Sequence, residues 1–228
     1  MTVDEVAKLV DAAAKLVSAF AWPLVVGAII LRVAPELRQF FENLGEFSLK
    51  AAGVEASAKR SQVASAASLA AAAAAHPESE EAGPNSGARA AVDIVTEMAT
   101  PAALRRAENA TVLWVDDRPD NNVYERQSLE ALGVTFVLAT STDEALDKLK
   151  RRHFDVIVSD MGRPPDARAG YTLLDALRGS GDKTPFIIYA GSNAPEHKAE
   201  AQKHGALGST NRPVELFEYV MRALRRTT

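Results

Sequence analysis

The second half of the chain alternates short apolar runs with amphipathic segments five times, and this alternation constrains the fold more than any other feature. The apolar runs predict strands over 111–115, 134–139, 154–159, 186–190 and 207–209. A helical pattern follows each run, over 121–132, 142–151, 171–178, 195–204 and 214–225. Repeated strand–helix units form a parallel sheet that is covered on both faces. The sequence therefore predicts a doubly wound α/β domain with a five-stranded parallel sheet over 109–228.

Acidic residues follow two of these runs, at the point where each predicted strand ends. Asp116 and Asp117 follow Val112–Val115, and Asp160 follows Val156–Ser159. The carboxyl ends of parallel strands lie at one edge of a sheet, which is where ligands bind in such folds. Crowded carboxylates repel one another unless a cation neutralises them, and Mg²⁺ accepts carboxylate oxygens while it keeps several waters. This pattern predicts a magnesium site at the three aspartates.

Polar residues mark the starts of two predicted helices. Ser141 or Thr142 can cap the helix over 142–151, with Glu144 close behind as in a capping box. The segment 120–122, Asp-Asn-Asn, precedes the first helix of the domain, and its side chains are good N-caps. We expect one of these side chains to cap that helix.

The N-terminal part of the chain contains an uncharged apolar run over 16–31, flanked by Lys15 and Arg32. A membrane helix needs about 20 apolar residues, with about 17 as the lower end, and flanking cations can lengthen the span by reaching the headgroups. We therefore predict a membrane-anchor helix within 1–34, with a buried or self-associating helix as the alternative. The apolar stripe of 37–44 suits either the membrane surface or a second copy of the chain, so a homo-oligomer is an open alternative.

Between this run and the α/β domain, the sequence is helical in character with one interruption. Residues 35–75 end in an Ala-rich stretch with few bulky side chains, which we interpret as a spacer helix. Residues 76–88 are acidic and rich in Pro and Gly, which predicts a flexible linker; His76 opens it and has no predicted partner. Residues 89–107 predict a linking helix, with Pro101 starting a new turn.

Composition excludes several classes of function. The chain has a net charge of −4, and the segment 109–228 holds 16 Lys and Arg against 17 Asp and Glu, so we expect no nucleic-acid partner. With no cysteine, the chain can form neither a disulfide nor a thiolate metal site. It carries no Walker loop, no Gly-x-Ser-x-Gly elbow and no His-Glu-x-x-His, and we expect no enzymatic activity.

Residues 109–228 resemble the receiver domain of bacterial two-component response regulators. The resemblance spans the whole segment and includes the order and length of the elements as well as the three aspartates. The further landmarks are the segment 170–174, Pro185, Gly205 with Ala206, and Arg212 with Pro213. The resemblance implies a flavodoxin-like fold and a role in phosphorelay signal transduction.

The resemblance also implies roles for individual residues. Asp160 matches the aspartate that accepts a phosphoryl group from a histidine kinase or a phosphotransfer protein. Asp116 and Asp117 match the acids that hold Mg²⁺ directly or through water, and the backbone carbonyl of Gly162 would be a further ligand. Such chemistry is physically reasonable, because a carboxylate attacking phosphorus needs in-line geometry and a cation that neutralises the transferred oxygens. The downstream partner is a protein that the sequence does not identify.

Three positions depart from the pattern of the receiver family. Where receivers carry Ser or Thr at the end of the fourth strand, this chain has Ala190, which lacks a hydroxyl. Where they carry Lys before the proline that follows the fifth strand, it has Arg212, which keeps the charge but differs in geometry. The usual aromatic switch position falls on Ser209. We expect a cation pocket that is retained and a switching mechanism that is altered, with Arg212 contacting the phosphate in place of Lys.

Other groups near the site could compensate for these departures. The loop 162–170 is Pro-rich, and its Arg163 and Arg168 either reach a bound anion or lie on a solvated loop surface. Further candidate hydroxyls belong to Tyr189, Ser192 and Thr210.

Together these observations predict a receiver tethered to the inner (cytoplasmic) membrane by one span, with the receiver in the cytoplasm. The main hypothesis is a Mg²⁺-dependent phosphoacceptor. The alternatives are a pseudo-receiver that binds its partner regardless of phosphorylation, and a membrane scaffold whose N-terminal helices associate.

Overall fold

Five short apolar segments form one parallel sheet, with the strand order β2-β1-β3-β4-β5. The computed structural model describes residues 54–76 and 84–226, which belong to one compact unit, Ser48–Thr228. The strands are β1 (Thr111–Val115), β2 (Thr135–Ala139), β3 (Val156–Ser159), β4 (Phe186–Tyr189) and β5 (Gly208–Thr210). The order and the parallel pairing are those of a flavodoxin-like sheet, which confirms the predicted fold class.

Helices surround this sheet and precede it. They are α1 (Val54–Ala75), α2 (Pro84–Met98), α3 (Pro101–Ala107), α4 (Val123–Glu130), α5 (Thr142–Arg151), α6 (Ala169–Gly179), α7 (Pro195–Lys203) and α8 (Pro213–Arg226). A short 3₁₀ turn, Pro119–Asn122, lies between β1 and α4. Five strand–helix units are therefore present, as the alternation predicts.

Apolar side chains that point alternately to the two faces of the sheet divide the core into two layers. On one face, Leu113 and Val115 of β1 pack with residues of α5, α6 and α7, including the fully buried Leu173 and Leu174. On the other face, Trp114 is 1% exposed and lies beneath the guanidinium of Arg126, whose carbon is 5.5 Å from the ring centroid. Since successive side chains of a strand point to opposite faces, an apolar strand such as β1 is buried on both sides.

The helix α1 packs against the α/β domain, whereas the sequence predicts a spacer helix with few side chains to bury. It contacts α2 and α4, and Leu69 is fully buried. Ala66, Ala70 and Ala73 are also at most 4% exposed. Short alanine side chains let helices approach closely, so dispersion contacts between their backbones and Cβ atoms replace those of bulky residues. An Ala-rich helix can therefore have a buried face.

The helices before the sheet also differ from prediction at one boundary. Residues 84–88, assigned from sequence to the flexible linker, are helical, because Pro84 starts α2 at the position where proline is favoured. The predicted new turn at Pro101 is confirmed by α3, which Thr100 caps by accepting a hydrogen bond from the backbone of Ala103. The side chain of Gln62 in α1 donates to the carbonyl of Ala99 at 2.8 Å and ties these helices together.

The predicted membrane span, 16–31, and the apolar stripe of 37–44 lie outside the described residues. Within 54–76 and 84–226, no helix combines the length and the apolar character needed to cross a bilayer.

Candidate metal centre

Three aspartates meet at the carboxyl edge of the sheet. The strands β1 and β3 are neighbours, with Val115 paired to Ser159, so the residues that follow them are brought side by side. One carboxylate oxygen from each of Asp116, Asp117 and Asp160 lies within 4.8 Å of the others. Three carboxylates at this spacing form a donor set of hard oxygens, which fits a divalent cation such as Mg²⁺.

The carboxylate of Asp116 is fixed by donors from its own loop. Its Oδ1 accepts a hydrogen bond from the backbone of Arg118 at 2.8 Å, and its Oδ2 accepts one from the side chain of Asn122 at 2.7 Å. The indole of Trp114 lies 3.4 Å from the same Oδ2. Since each oxygen already accepts a hydrogen bond, Asp116 would meet a cation through a remaining lone pair or through water.

The predicted helix cap at 120–122 is wrong. Arg118 occupies the N-cap position of the 3₁₀ turn, and Asn122 occupies that of α4. Neither side chain makes a capping hydrogen bond. Asn122 holds Asp116 instead. An amide that could cap a helix is therefore used to orient a carboxylate of the cluster, a role with no separate signal in the sequence.

The carboxylate of Asp160 is half-buried and lies beside two other negative charges. Burial raises its pKa, and the neighbouring charges of Asp116 and Asp117 raise it further, while a hydrogen bond from the backbone of Met161 and the positive charge of Arg163 oppose them. That bond runs to Oδ1 at 2.6 Å, and no donor to Oδ2 is present among 54–76 and 84–226. A carboxylate that is poorly compensated gains most from a bound cation, and its open oxygen can act as a nucleophile.

Arg163 lies beneath the cluster and is 3% exposed, which agrees with neither alternative predicted for it. Its Nη1 donates to the carbonyl of Asp160 at 2.7 Å and to Oγ of Ser159 at 2.8 Å, and its Nη2 donates to Oγ1 of Thr142 at 3.1 Å. Burial lowers the pKa of this guanidinium, while the three aspartates oppose the change. Its Nη1 also lies 3.4 Å from the carbonyl oxygen of Val115. Arg163 therefore joins the ends of β1 and β3 to the start of α5, and it is not among the residues that line the cleft.

Arg168, the other arginine of the same loop, is exposed. It forms an ion pair with Glu200 at 2.5 Å, and its guanidinium carbon lies 5.0 Å from the ring centroid of Tyr171. These partners lie on α6 and α7, so of the two predicted outcomes the exposed surface position applies to Arg168.

An open cleft of about 470 Å³ surrounds the cluster. It is lined by His76, Asp116, Asp117, Arg118, Asn121, Asn122, Asp160, Gly162, Pro164, Tyr189, Ala190, Gly191 and Asn211. The predicted ligand residue Gly162 and the predicted hydroxyl-free position Ala190 are among them. Arg212 is not: it is half-buried, and its backbone donates to Oγ1 of Thr210 at 3.0 Å. A phosphate contact by Arg212 stays a prediction.

Ser209 is buried in β5, where the resemblance places an aromatic residue. A second cleft, of about 380 Å³, lies beside it and includes Met161, Tyr171 and Ala190 in its lining. A small side chain at 209 thus leaves open space next to the end of β4.

Sequence reasoning missed a cluster at the rim of the first cleft. Nε2 of His76, just after α1, lies 3.2 Å from Oε1 of Glu125, a side chain that is 1% exposed. The hydroxyl of Tyr189 donates to the same oxygen at 2.9 Å. Burial and the carboxylate of Glu125 raise the pKa of Tyr189, so its phenol stays protonated. The interpretation of His76 as a linker residue without a partner is wrong, because α1 docks on α4 and brings residues 76 and 125 together.

Comparison with known proteins agrees with this geometry. The family described as "Response regulator receiver domain" matches residues 112–222. These residues are a response regulator receiver domain. The match includes the three aspartates and, apart from Thr111, all residues of the five strands, whereas α1, α2 and α3 precede it.

Individual relatives of the receiver domain come from bacterial signalling. The chain is 28% identical over 117 residues to the sensor histidine kinase RcsC of Escherichia coli. These residues are 51% of this chain and 12% of that protein. The receiver domain of the Francisella response regulator 1452 is 29% identical, with a TM-score of 0.48, and covers 53% of this chain and 100% of that one. The chemotaxis response regulator CheY4 of Vibrio cholerae is 29% identical, with a TM-score of 0.45, and the alignment covers 50% of this chain and 98% of that one.

Proposed function

We propose that the receiver domain accepts a phosphoryl group on Asp160 in a phosphorelay, with Mg²⁺ held by Asp116, Asp117, Asp160 and the carbonyl of Gly162. The observation that carries this proposal is the convergence of the three carboxylates within 4.8 Å. When bound, Mg²⁺ would neutralise charge on the carboxylates and on the transferred oxygens.

Two further contacts at Asp160 support the proposed reaction. Oδ2 of Asp160 attacks phosphorus, and a P–O bond replaces the P–N bond of a phosphohistidine, whose ring keeps the electron pair and takes up a proton. The donor would be a histidine kinase or a phosphotransfer protein. Met161 orients the nucleophile through Oδ1, and Arg163 fixes the backbone of Asp160 from below.

Acetyl phosphate tests the proposal without the natural donor. The full-length protein, incubated with Mg²⁺ and acetyl phosphate, should gain the mass of one phosphoryl group, and Asp160→Asn should abolish that gain. Asp147→Asn is the matched control, because Asp147 is exposed on α5, where it pairs with Lys150, and does not belong to the aspartate cluster. A wild-type protein that gains no phosphoryl group, or an Asp160→Asn variant that still gains one, contradicts the proposal.

A second candidate function is a pseudo-receiver that binds a partner regardless of phosphorylation. It is favoured by Ala190, which offers no hydroxyl to a phosphoryl oxygen, and by the position of Arg212 outside the residues that line the cleft. Under this alternative, the partner retained by immobilised protein from a lysate is the same for the wild type and for Asp160→Asn. Partner binding that requires phosphorylated Asp160 excludes it.

We further propose that the run 16–31 attaches the receiver to the cytoplasmic face of the inner membrane. The support is the uncharged run with its flanking Lys15 and Arg32. The full-length chain should sediment with membranes after a carbonate wash, whereas a variant without residues 1–47 should not. Equal partition of the two proteins contradicts membrane attachment through this run.

A further inference from the structure

One wall of the aspartate cleft comes from outside the receiver domain. His76 follows the last residue of α1, precedes the matched segment 112–222, and yet lines the cleft together with Asp160. The helix that carries it is anchored by buried side chains such as Leu69. The residue that follows the C-terminal end of α1 therefore forms part of the site.

A buried carboxylate fixes the position of His76. Glu125 is 2% exposed, and its Oε1 interacts with Nε2 of His76 at 3.2 Å and accepts a hydrogen bond from Tyr189 at 2.9 Å. Its Oε2 is buried and has no hydrogen-bond partner among 54–76 and 84–226. A buried carboxylate is costly unless a positive charge is close. The imidazole of His76 is the group beside it that can supply that charge.

Few of the described residues that line the cleft are cationic. Of the described residues that line the cleft, His76 and Arg118 are the two that can carry a positive charge. The side chain of Arg118 is 76% exposed, and its Nε lies 3.8 Å from Asp117. Arg163 and Arg212 are not among the lining residues. The side chain of His76 is 32% exposed, so a positive charge on its protonated ring would be screened less by water than the charge of Arg118.

We propose that His76 binds the oxygens of the phosphoryl group carried by Asp160, and that Glu125 is the residue that positions it. This inference rests on the proposed phosphoacceptor function. It makes the helix α1 a component of the site, because the cation arrives only when that helix is docked. The ligand class is a tetrahedral oxyanion or its mimic on Asp160.

Beryllofluoride, which adds to an aspartate as a mimic of its phosphoryl form, tests the proposal in the full-length protein. Calorimetric titrations would measure the affinity for Mg²⁺ alone and then for beryllofluoride at saturating Mg²⁺. In His76→Ala we expect the affinity for beryllofluoride to fall about tenfold, as for loss of one charge-assisted hydrogen bond. The affinity for Mg²⁺ should not fall, because the three aspartates remain. His76→Lys should recover part of the loss, since it keeps a positive charge.

The positioning role of Glu125 is tested by combining its substitution with that of His76. In Glu125→Gln the affinity for beryllofluoride should fall, and the double variant with His76→Ala should be no weaker than His76→Ala alone, since Glu125 acts through His76. His153→Ala is the matched control for loss of a histidine, because His153 is exposed and absent from the cleft. It should bind beryllofluoride as the wild type does.

The outcomes separate the two proposals. If the wild type binds no beryllofluoride, the phosphoacceptor function fails and this inference fails with it. If the wild type binds it and His76→Ala binds it equally well, the phosphoacceptor function stands and the role of His76 is overturned. A parallel loss of Mg²⁺ and beryllofluoride affinity in His76→Ala, or additive losses in the double variant, would show structural damage and also overturn it.

Discussion

Replacing Arg163 by methionine should destabilise the receiver domain strongly, because the guanidinium joins three parts of the fold beneath the aspartates. Methionine keeps an unbranched apolar side chain and removes the donors. The buried oxygens of Ser159 and Asp160, at 2.8 and 2.7 Å, and the hydroxyl of Thr142, at 3.1 Å, would each lose a partner. Water cannot readily replace these bonds at a residue that is 3% exposed.

The magnitude follows from these contacts. A hydrogen bond from a charged donor contributes about 1.5–3 kcal/mol, so three such bonds exceed about 4 kcal/mol in total. Removing a buried cation also removes its desolvation penalty, which offsets part of this sum. We expect a net loss of about 3 kcal/mol in the free energy of unfolding of Arg163→Met.

Urea unfolding of the full-length protein without divalent cations measures this loss. With a slope of about 2 kcal/mol/M, the midpoint should fall by about 1.5 M. Arg168→Met is the matched control from the same loop: the side chain of Arg168 is 60% exposed, so its ion pair with Glu200 should contribute less than about 1 kcal/mol. If the two variants unfold at the same urea concentration, Arg163 does not hold the strand ends and the reasoning is refuted.

Four further outcomes are expected. Gly170→Ala should cost about 2 kcal/mol in urea unfolding, because its Cβ would lie 2.9 Å from the carbonyl oxygen of Asp160; an unchanged midpoint would contradict that close approach. Leu69→Ala should cost about 3 kcal/mol if α1 is docked, and a loss below about 1 kcal/mol would mean that it is not. Asp160→Asn should raise the thermal midpoint in a chelator, because burial and two neighbouring carboxylates disfavour the charged form, and added Mg²⁺ should then stabilise the wild type more than the variant. Glu144→Gln should lower stability by about 0.5 kcal/mol at neutral pH, since the half-exposed pair with Lys148 is screened. The hydrogen bond from Lys148 lowers the pKa of Glu144 from 4.5 to about 2, so this difference should be full above pH 4.5 and disappear as the pH falls towards 2.

The α/β half of the fold could be predicted because its signals are local. The run Thr111–Val115 is apolar on both sides of the strand and is observed with the predicted bounds. The helix over Thr142–Arg151 also has the predicted bounds, and Ser141 caps it by accepting from the backbone of Glu144. Convergence of Asp116 with Asp160 followed from the rule that parallel strands end at one edge.

The remaining features depend on contacts between distant parts of the chain. The sequence interpretation of α1 weighed bulky side chains alone, so the buried alanines Ala66 and Ala70 gave no signal. Nothing near His76 or Glu125 indicates that they meet, because that contact requires two helices to dock. An arginine such as Arg163 in a Pro-rich loop is usually exposed, and only the folded strand ends supply the oxygens that make its burial favourable.

The docking of α1 and α2 on the receiver domain has a consequence for its partners. These helices cover part of α4 and α8, so a protein that needs those faces meets them only in molecules whose N-terminal helices have moved away. Its apparent affinity is then its intrinsic affinity multiplied by the fraction of such molecules, and each 1.4 kcal/mol of docking energy reduces that affinity about tenfold. Any event that loosens the helices upstream, without touching an aspartate, would raise the apparent affinity by the same arithmetic. The N-terminal helices thus set a threshold for access to the covered faces of α4 and α8.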